Sequence, residues 1–356
     1  MENLFDDKFS GHEYKEFIPN SKSGWNSKTL EVKLKNIAKV IKDIDADIIN
    51  LCEVENKEVL KRLNLKLGAK KYPFIYYKNH TRAIDCGLLS RYPIKQTKAY
   101  VVDLRFRPIH KVVVDIKGYR VPFFLNHWPS KRHSNQKRLE YAKKLKELYS
   151  KEKRFILLGD FNSPYEIKKD GWGSGVNYLL DDAIDLWQDI PRKDRFSYSF
   201  FGKKSALDHI IISKTINYKD GSFRVFKPRY LMSKYKAPYR WQISKNGKGK
   251  HLGRGFSDHF PIYATFSTKP YKKTEPRIID IKTLHKIKQN RVKFMLKDVM
   301  VVDKNRYGVY IEDKNRDKIF IYLPDSNYKV GEVYNILVKE LGFYKGKRQI
   351  VLEEIL

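Results

Sequence analysis

Five short segments end or begin runs of apolar residues with groups that can hold a metal, move a proton or steady a developing charge. Glu53 follows the run Ile48-Ile49-Asn50-Leu51-Cys52, so a strand there delivers its carboxylate to a sheet rim as a hard oxygen ligand for Mg2+. Gly159-Asp160-Phe161-Asn162 closes Phe155-Ile156-Leu157-Leu158 and sets an acid and an amide two positions apart on one side of a tight turn. There Asp160 can orient or deprotonate an attacking water, and the Asn162 amide can donate to a charged phosphoryl oxygen. Leu207-Asp208-His209 opens Ile210-Ile211-Ile212, and Ser257-Asp258-His259 precedes the run from Pro261 to Phe266, so each places an acid beside a histidine at a strand edge. A carboxylate that accepts from an imidazole fixes its tautomer and raises its basicity. Asp208 is therefore a candidate partner for His259, leaving Asp258 for metal. His127, in Asn126-His127-Trp128, can protonate a leaving oxygen or hold a phosphate oxygen.

Taken singly, each segment also has a plainer reading. Glu53 can be a solvated strand-end carboxylate, the Gly-Asp-x-Asn turn can be closed by its own side chains, and a lone histidine can be structural. What joins them is the elements that must position them. Leu30, Leu34, Ile37, Ile41 and Ile44 recur at helical spacing ahead of the strand that ends at Glu53. Leu139, Ala142, Leu145 and Leu148 share a helical face ahead of the strand that ends at Asp160. Val112–Ile116 and Val121–Leu125 flank Gly118 as a hairpin. Strands interleaved with packing helices predict an α/β layered domain. Residues 217–255 read as one long, basic, aromatic-containing connection of the kind that reaches for substrate.

The polar stretch around Ser267–Pro276 marks a boundary: a first domain over 1–267, a linker over 268–276 and a second unit over 277–356. In the second unit, runs such as Gly308–Ile311, Lys318–Leu323 and Val333–Val338 alternate with charged turns and predict a small all-β domain. A formal net charge of +32 favours a polyanionic partner, nucleic acid above all, although a lysine-rich solvated surface produces the same number. No apolar run approaches the roughly 18 to 20 residues that cross a bilayer, and no signal peptide is visible. Cys52 and Cys86 sit in apolar runs and read as buried thiols, with one cross-strand disulfide left open.

Together, and in this order, Leu51-Cys-Glu-Val-Glu-Asn56, Asn126-His-Trp-Pro-Ser130, Gly159-Asp-Phe-Asn162, Leu207-Asp-His209 and Ser257-Asp-His-Phe-Pro261 resemble the endonuclease/exonuclease/phosphatase superfamily, the deoxyribonuclease I-like fold. The resemblance implies a four-layered α/β sandwich with its active site at one end of two packed sheets. It also implies one or two Mg2+ ions, with Mn2+ or Ca2+ as substitutes. It assigns Glu53 and Asp258 to metal, Asp160 and Asn162 to water and phosphate, His259 and its partner Asp208 to catalysis, and His127 to a second catalytic histidine. Arg107, in Phe106-Arg107-Pro108, resembles a phosphate-contacting arginine, and Asp85 is expected to orient His127. Lys131, Arg132 and Arg138 follow as candidate backbone-phosphate contacts or as a solvated basic face.

Members with a Glu-Asn-Leu-Phe-Asp opening usually carry one earlier strand with a metal-binding asparagine just ahead of the residue matching Met1; such relatives are frequently secreted or periplasmic. A late assigned start is the favoured explanation here, loss of the strand the other. The C-terminal unit, with Lys329-Val-Gly-Glu-Val-Tyr334, is similar to oligonucleotide-binding (OB) barrels, with Tyr310, Phe320 and Tyr322 as stacking platforms or as core. The expected function is a metal-dependent nuclease cutting phosphodiesters of DNA, or RNA, as an endonuclease. The alternatives are a phosphoesterase of the same fold acting on a phospholipid or inositol phosphate, and a nucleic-acid binder with a decayed metal site.

Overall fold

The structure, a computed structural model, describes residues 2–78, 83–165, 174–191, 194–271, 275–324 and 326–355. The chain divides into two compact units, Met1–Tyr271 and Lys272–Leu356.

Helix α1 (Ser27–Ile44) starts where the Asn26 side chain caps Thr29 N–H, and it ends at Asp45 in the left-handed conformation. Its apolar stripe packs with α2 (Lys57–Leu65) and with Phe5, Phe17, Trp25 and Leu89. Leu89 lies in the first sheet, formed by β1 (Ile48–Val54), β2 (Phe74–Tyr77) and β3 (Asp85–Ser90) in the order β1-β3-β2. The other face of that sheet supplies Cys52, Cys86 and Leu88 to a second core.

The second sheet contains β4 (Ile94–Tyr100), β5 (Ile109–Ile116), β6 (Tyr119–His127), β7 (Ile156–Asp160), β8 (Ala183–Asp185) and, after the hairpin β9 (Tyr198–Phe200) and β10 (Lys203–Ser205), β11 (Asp208–Ser213). Its order is β4-β5-β6-β7-β11-β8. Period-two alternation assigns its faces: Phe123, Leu125, Ile210 and Ile212 turn to the core shared with the first sheet. Phe124, Leu157 and Ile211 turn to helix α3 (Asn135–Tyr149) through Tyr141, Leu145 and Tyr149. Lys117 and Gly118, both at positive φ, make the tight β5–β6 turn. Leu125 is fully buried between the sheets. Leu125→Ala is expected to lower unfolding free energy by about 2–5 kcal/mol in urea titrations.

The run from Pro261 to Phe266, expected as one strand, forms two short pairings instead. Here β12 (Asn217–Tyr218) pairs with β15 (Phe266–Ser267), and β13 (Arg224–Val225) with β14 (Ile262–Tyr263). Residues 261–267 and the outer edge of β1 line a cavity of about 510 Å3, and an isolated parallel bridge joins Leu4 to Val54 at the end of that edge. Cys52 and Cys86 are free buried thiols with sulfurs 3.6 Å apart.

In the second unit β16 (Arg277–Ile278) flanks a closed circuit of β17 (Arg291–Asn305), β18 (Gly308–Glu312), β19 (Lys318–Tyr322), β21 (Lys347–Ile355) and β20 (Val333–Tyr344), which pairs back onto β17. Closure removes the exposed edges of an open sheet. Val309, Ile311, Ile319 and Ile321 fill this small barrel. Tyr310 and Tyr322 are exposed and Phe320 is half-buried against Tyr310, so the three rings are not barrel core. Among the described residues, no helix is long and apolar enough to cross a membrane.

Candidate active site

The register of the second sheet sets three of the expected residues in one row. His127 pairs with Asp160 across the parallel β6–β7 contact, and Asp208 pairs with Asp160 across the antiparallel β11–β7 contact. Gly159 permits this closeness: at φ 132° it lies so near the neighbouring strand that a Cβ would stand 2.0 Å from Asn126 O.

Asp208 is anchored from two directions. Ser197 Oγ accepts from the backbone N–H of Asp208 (3.2 Å) and Leu207 (3.3 Å), and Trp187 Nε1 donates to Asp208 O (2.7 Å). Ser197 O also accepts from Phe260 N–H (2.7 Å), tying the segment after His259 to the same residue. His259 Nδ1 then meets Asp208 Oδ2 at 2.6 Å. Burial opposes protonation of this imidazole, but the Asp208, Asp258 and Asp160 carboxylates outweigh it and hold its pKa well above the ordinary histidine value. Burial alone would raise Asp208; the His259 charge and hydrogen bond bring it below the usual range.

Asp160 is buried, and burial together with its acidic neighbours pushes its carboxyl up to about 6 despite the opposing His259 charge. Asn162, at φ 48°, holds it: the Asn162 backbone N–H donates to Asp160 Oδ1 (2.8 Å), and Nδ2 donates to Asp160 Oδ2 and to Trp128 O, both at 3.1 Å. Both Asn162 amide protons are thus directed at protein acceptors, so in this arrangement the residue orients Asp160. Donation to a phosphoryl oxygen requires exchanging one of those bonds.

Glu53 reaches the site through a bulge. The β1–β3 register shifts between Leu51 and Val54, and Glu53 takes a left-handed φ of 65°. Its Oε2 accepts from Asn3 N–H at 2.8 Å. Burial, then the Asp258 charge, pushes this carboxyl up to about 7. Asp258 lies 3.7 Å from Arg240 Nη2, and that atom also donates to Glu2 Oε1 at 2.8 Å. Glu2 is itself raised by burial and by Asp258.

His127 Nε2 sits 3.0 Å from Arg107 Nη2 and 3.8 Å from Asp160 Oδ2. Arginine only donates, so Nε2 accepts and the ring proton stands on Nδ1, which is buried and has no partner among the described residues. Burial, then the Arg107 charge, pulls the His127 pKa well below the ordinary value.

Two expectations fail. Asp85 does not orient His127: its Oδ1 meets His110 Nε2 at 2.9 Å, within the interior between the sheets. Arg138 is no phosphate contact either. It is buried, and its Nη1 closes the loop before α3 on the carbonyls of Ser130 (3.0 Å) and His133 (3.1 Å). Lys131 and Arg132 are exposed, with Lys131 Nζ 3.4 Å from Ser205 Oγ. His209 is structural, held by Asp185 (2.6 Å) and Ser163 O (2.9 Å).

Sequence reasoning missed Ser197, Glu2 and Arg240. Only Arg240 carried a signal, through its place in the long basic connection.

The donor set fits a hard divalent cation. Burial first, and neighbouring carboxylates after it, raise Glu53 and Asp160, a cost that a bound cation would offset, and the buried Asn3 Oδ1 has no hydrogen-bond partner among the described residues. As they stand, no three His, Cys, Asp or Glu side chains among the described residues converge closely enough to ligate one ion.

Residues 1–268 match the model of the endonuclease/exonuclease/phosphatase family. Among solved structures, a humanized D. rerio TDP2 aligns at TM-score 0.50 and 16% identity over 69% of this chain and 96% of that one. A Leptotrichia buccalis family protein aligns at TM-score 0.49 and 17% identity, covering 69% and 97%. One from Beutenbergia cavernae aligns at TM-score 0.49 and 13% identity, covering 91% and 94%. No curated protein matches. The family match spans nearly all of the unit that carries the row of His127, Asp160 and Asp208, and this chain belongs to the endonuclease/exonuclease/phosphatase family.

Proposed function

We propose that residues 1–267 form a divalent-cation-dependent phosphodiesterase that hydrolyses nucleic-acid backbones, DNA in preference, as an endonuclease. Its two sheets and flanking helices are read as a four-layered sandwich. Residues 268–276 are read as a linker, and residues 277–356 as an OB-like nucleic-acid-binding domain, whose strand circuit and outward Tyr310 and Tyr322 support that reading. The observation that carries the proposal is the His259–Asp208 pair placed beside Asp160 in one sheet row.

Glu53 and Asp258, with Asn3 Oδ1, would hold Mg2+, or Mn2+ or Ca2+ in its place; when bound, the ion neutralises charge on the phosphate and the leaving oxygen. Asp160, oriented by Asn162, takes the proton of the attacking water. His259 spends Nδ1 on Asp208, which leaves Nε2–H to donate to the phosphoryl oxygen. Neutral His127, fixed by Arg107, stands beside Asp160, and Arg107, Lys131 and Arg132 offer positive charge to backbone phosphates. The test is incubation of the purified chain with supercoiled plasmid and end-labelled oligonucleotides in Mg2+, Mn2+, Ca2+ or chelator. Cation-dependent nicking is expected, and intact substrate under every condition overturns the proposal.

Cation binding is expected to be proton-linked. Glu53 and Asp160, raised to about 7 and about 6, must be ionised to act as ligand or neighbour of the ion. Apparent affinity therefore rises with pH up to about 7 and levels off above it. Calorimetric titration with Mg2+ at pH 6, in buffers of different ionisation enthalpy, should register proton release that vanishes near pH 8.

A further inference from the structure

The hairpin β9–β10 exposes rings that the fold does not use. Phe201 is 91% exposed and Phe200 52% exposed at the tip, and Phe201 adopts φ 45° beside Gly202 at φ 77°. A phenylalanine held in the left-handed region and left almost wholly in water costs free energy that its one ring contact does not offset, which marks a contact surface. The rings form a line. Phe201 packs edge-on against Phe200 at 4.6 Å, Phe200 lies parallel to Tyr198 with centroids 6.5 Å apart and planes 10° apart, and Tyr198 packs on His259 at 4.8 Å. A backbone bridge between Tyr198 and His259 fixes the inner end. Register adds charge to the same face: Lys203 pairs with Phe200, and Ser205, which Lys131 Nζ touches, pairs with Tyr198.

We infer that this aromatic line is a stacking track for the unpaired bases of single-stranded nucleic acid, leading the strand to the phosphate that faces His259. The inference rests on the phosphodiesterase reading for its position beside the reacting centre, but not for its binding. Aromatic faces flanked by lysines take bases of any sequence and the backbone between them. In a duplex the base faces are already covered by their neighbours, so the track selects strands that are open near the cut. The net charge of +32 favours such a polyanion over a protein partner for an apolar tip.

The test compares the full-length chain with the Phe200→Ala/Phe201→Ala and Phe200→Trp/Phe201→Trp variants by fluorescence anisotropy, using a labelled oligodeoxynucleotide alone and annealed to its complement, in chelator. Stacking contributes ~1–3 kcal/mol per base. The alanine variant is therefore expected to lose roughly 10- to 100-fold in single-strand affinity while its duplex affinity moves by less than about threefold, and the tryptophan variant to keep both. Equal losses for both probes, or unchanged single-strand binding, overturn the inference. A wild-type chain that cleaves nothing in Mg2+ yet shows this single-strand selectivity contradicts the phosphodiesterase reading alone.

Discussion

His259→Ala is expected to lower turnover on plasmid DNA by roughly 10^3-fold, within the range that loss of a positioned acid–base group produces. The expectation follows from charge placement. The imidazole stands among Asp208, Asp258 and Asp160, which hold its pKa well above the ordinary histidine value and favour its charged form, so it supplies a positive donor to an oxygen that gains charge in the transition state. Removal also leaves the partly buried Asp208 without the partner 2.6 Å away. The defect is therefore expected in kcat more than in KM, read from steady-state cleavage at saturating DNA. His259→Gln, which keeps a donor but no charge, is expected to recover a minor part of the loss.

Glu53→Gln is expected to act in opposite directions on activity and stability. Outer-shell partners of a metal are worth about 10- to 100-fold in affinity, so replacing a ligand carboxylate should weaken Mg2+ binding by about 100-fold or more, with cleavage falling in parallel. In cation-free protein the sign reverses. The folded-state pKa of Glu53 is raised to about 7 from an ordinary 4.5, so the folded chain binds the extra proton between those values. Its ionisation therefore lowers stability progressively from about pH 4.5, and the full penalty is present above about pH 7. The shift corresponds to an upper bound on the order of 3 kcal/mol, and coupling to Asp258 makes the recoverable part smaller. Glu53→Gln is thus expected to raise Tm by a few degrees at pH 8 in chelator and to leave it nearly unchanged at pH 4.5, as read by differential scanning calorimetry.

Much of this centre is legible in the sequence because strands deliver their last residue to a rim. The apolar runs before Glu53 and Asp160, and the one after Asp208, state both the element and the end at which its polar group emerges. Partner choice was less legible. Asp85 and His127 are both compatible with a carboxylate–imidazole pair, but Asp85 Oδ1 faces His110 on β5, and only strand order reveals that. Nothing in the sequence marks the bulge at Glu53, whose left-handed φ falls at the register shift between Leu51 and Val54. The Pro261–Phe266 run reads as one strand because its residues suit one, while its partners, β12 and β13, come from different parts of a connection without periodicity. In the barrel, β17 escaped recognition because two register shifts, with Asp298 at φ 52°, break its alternation. Ser197 had no signal at all: its role is to accept two backbone N–H groups and to receive a third at its carbonyl.

The most direct test of the claim that these groups act as one phosphodiester-cleaving centre is a double-mutant cycle on kcat/KM for plasmid nicking, with His259→Ala, Asp208→Asn and both together. If Asp208 acts through His259, the double variant should be no more than about tenfold slower than His259→Ala alone, giving a large coupling energy. Losses that simply multiply would show two independent residues and contradict the account.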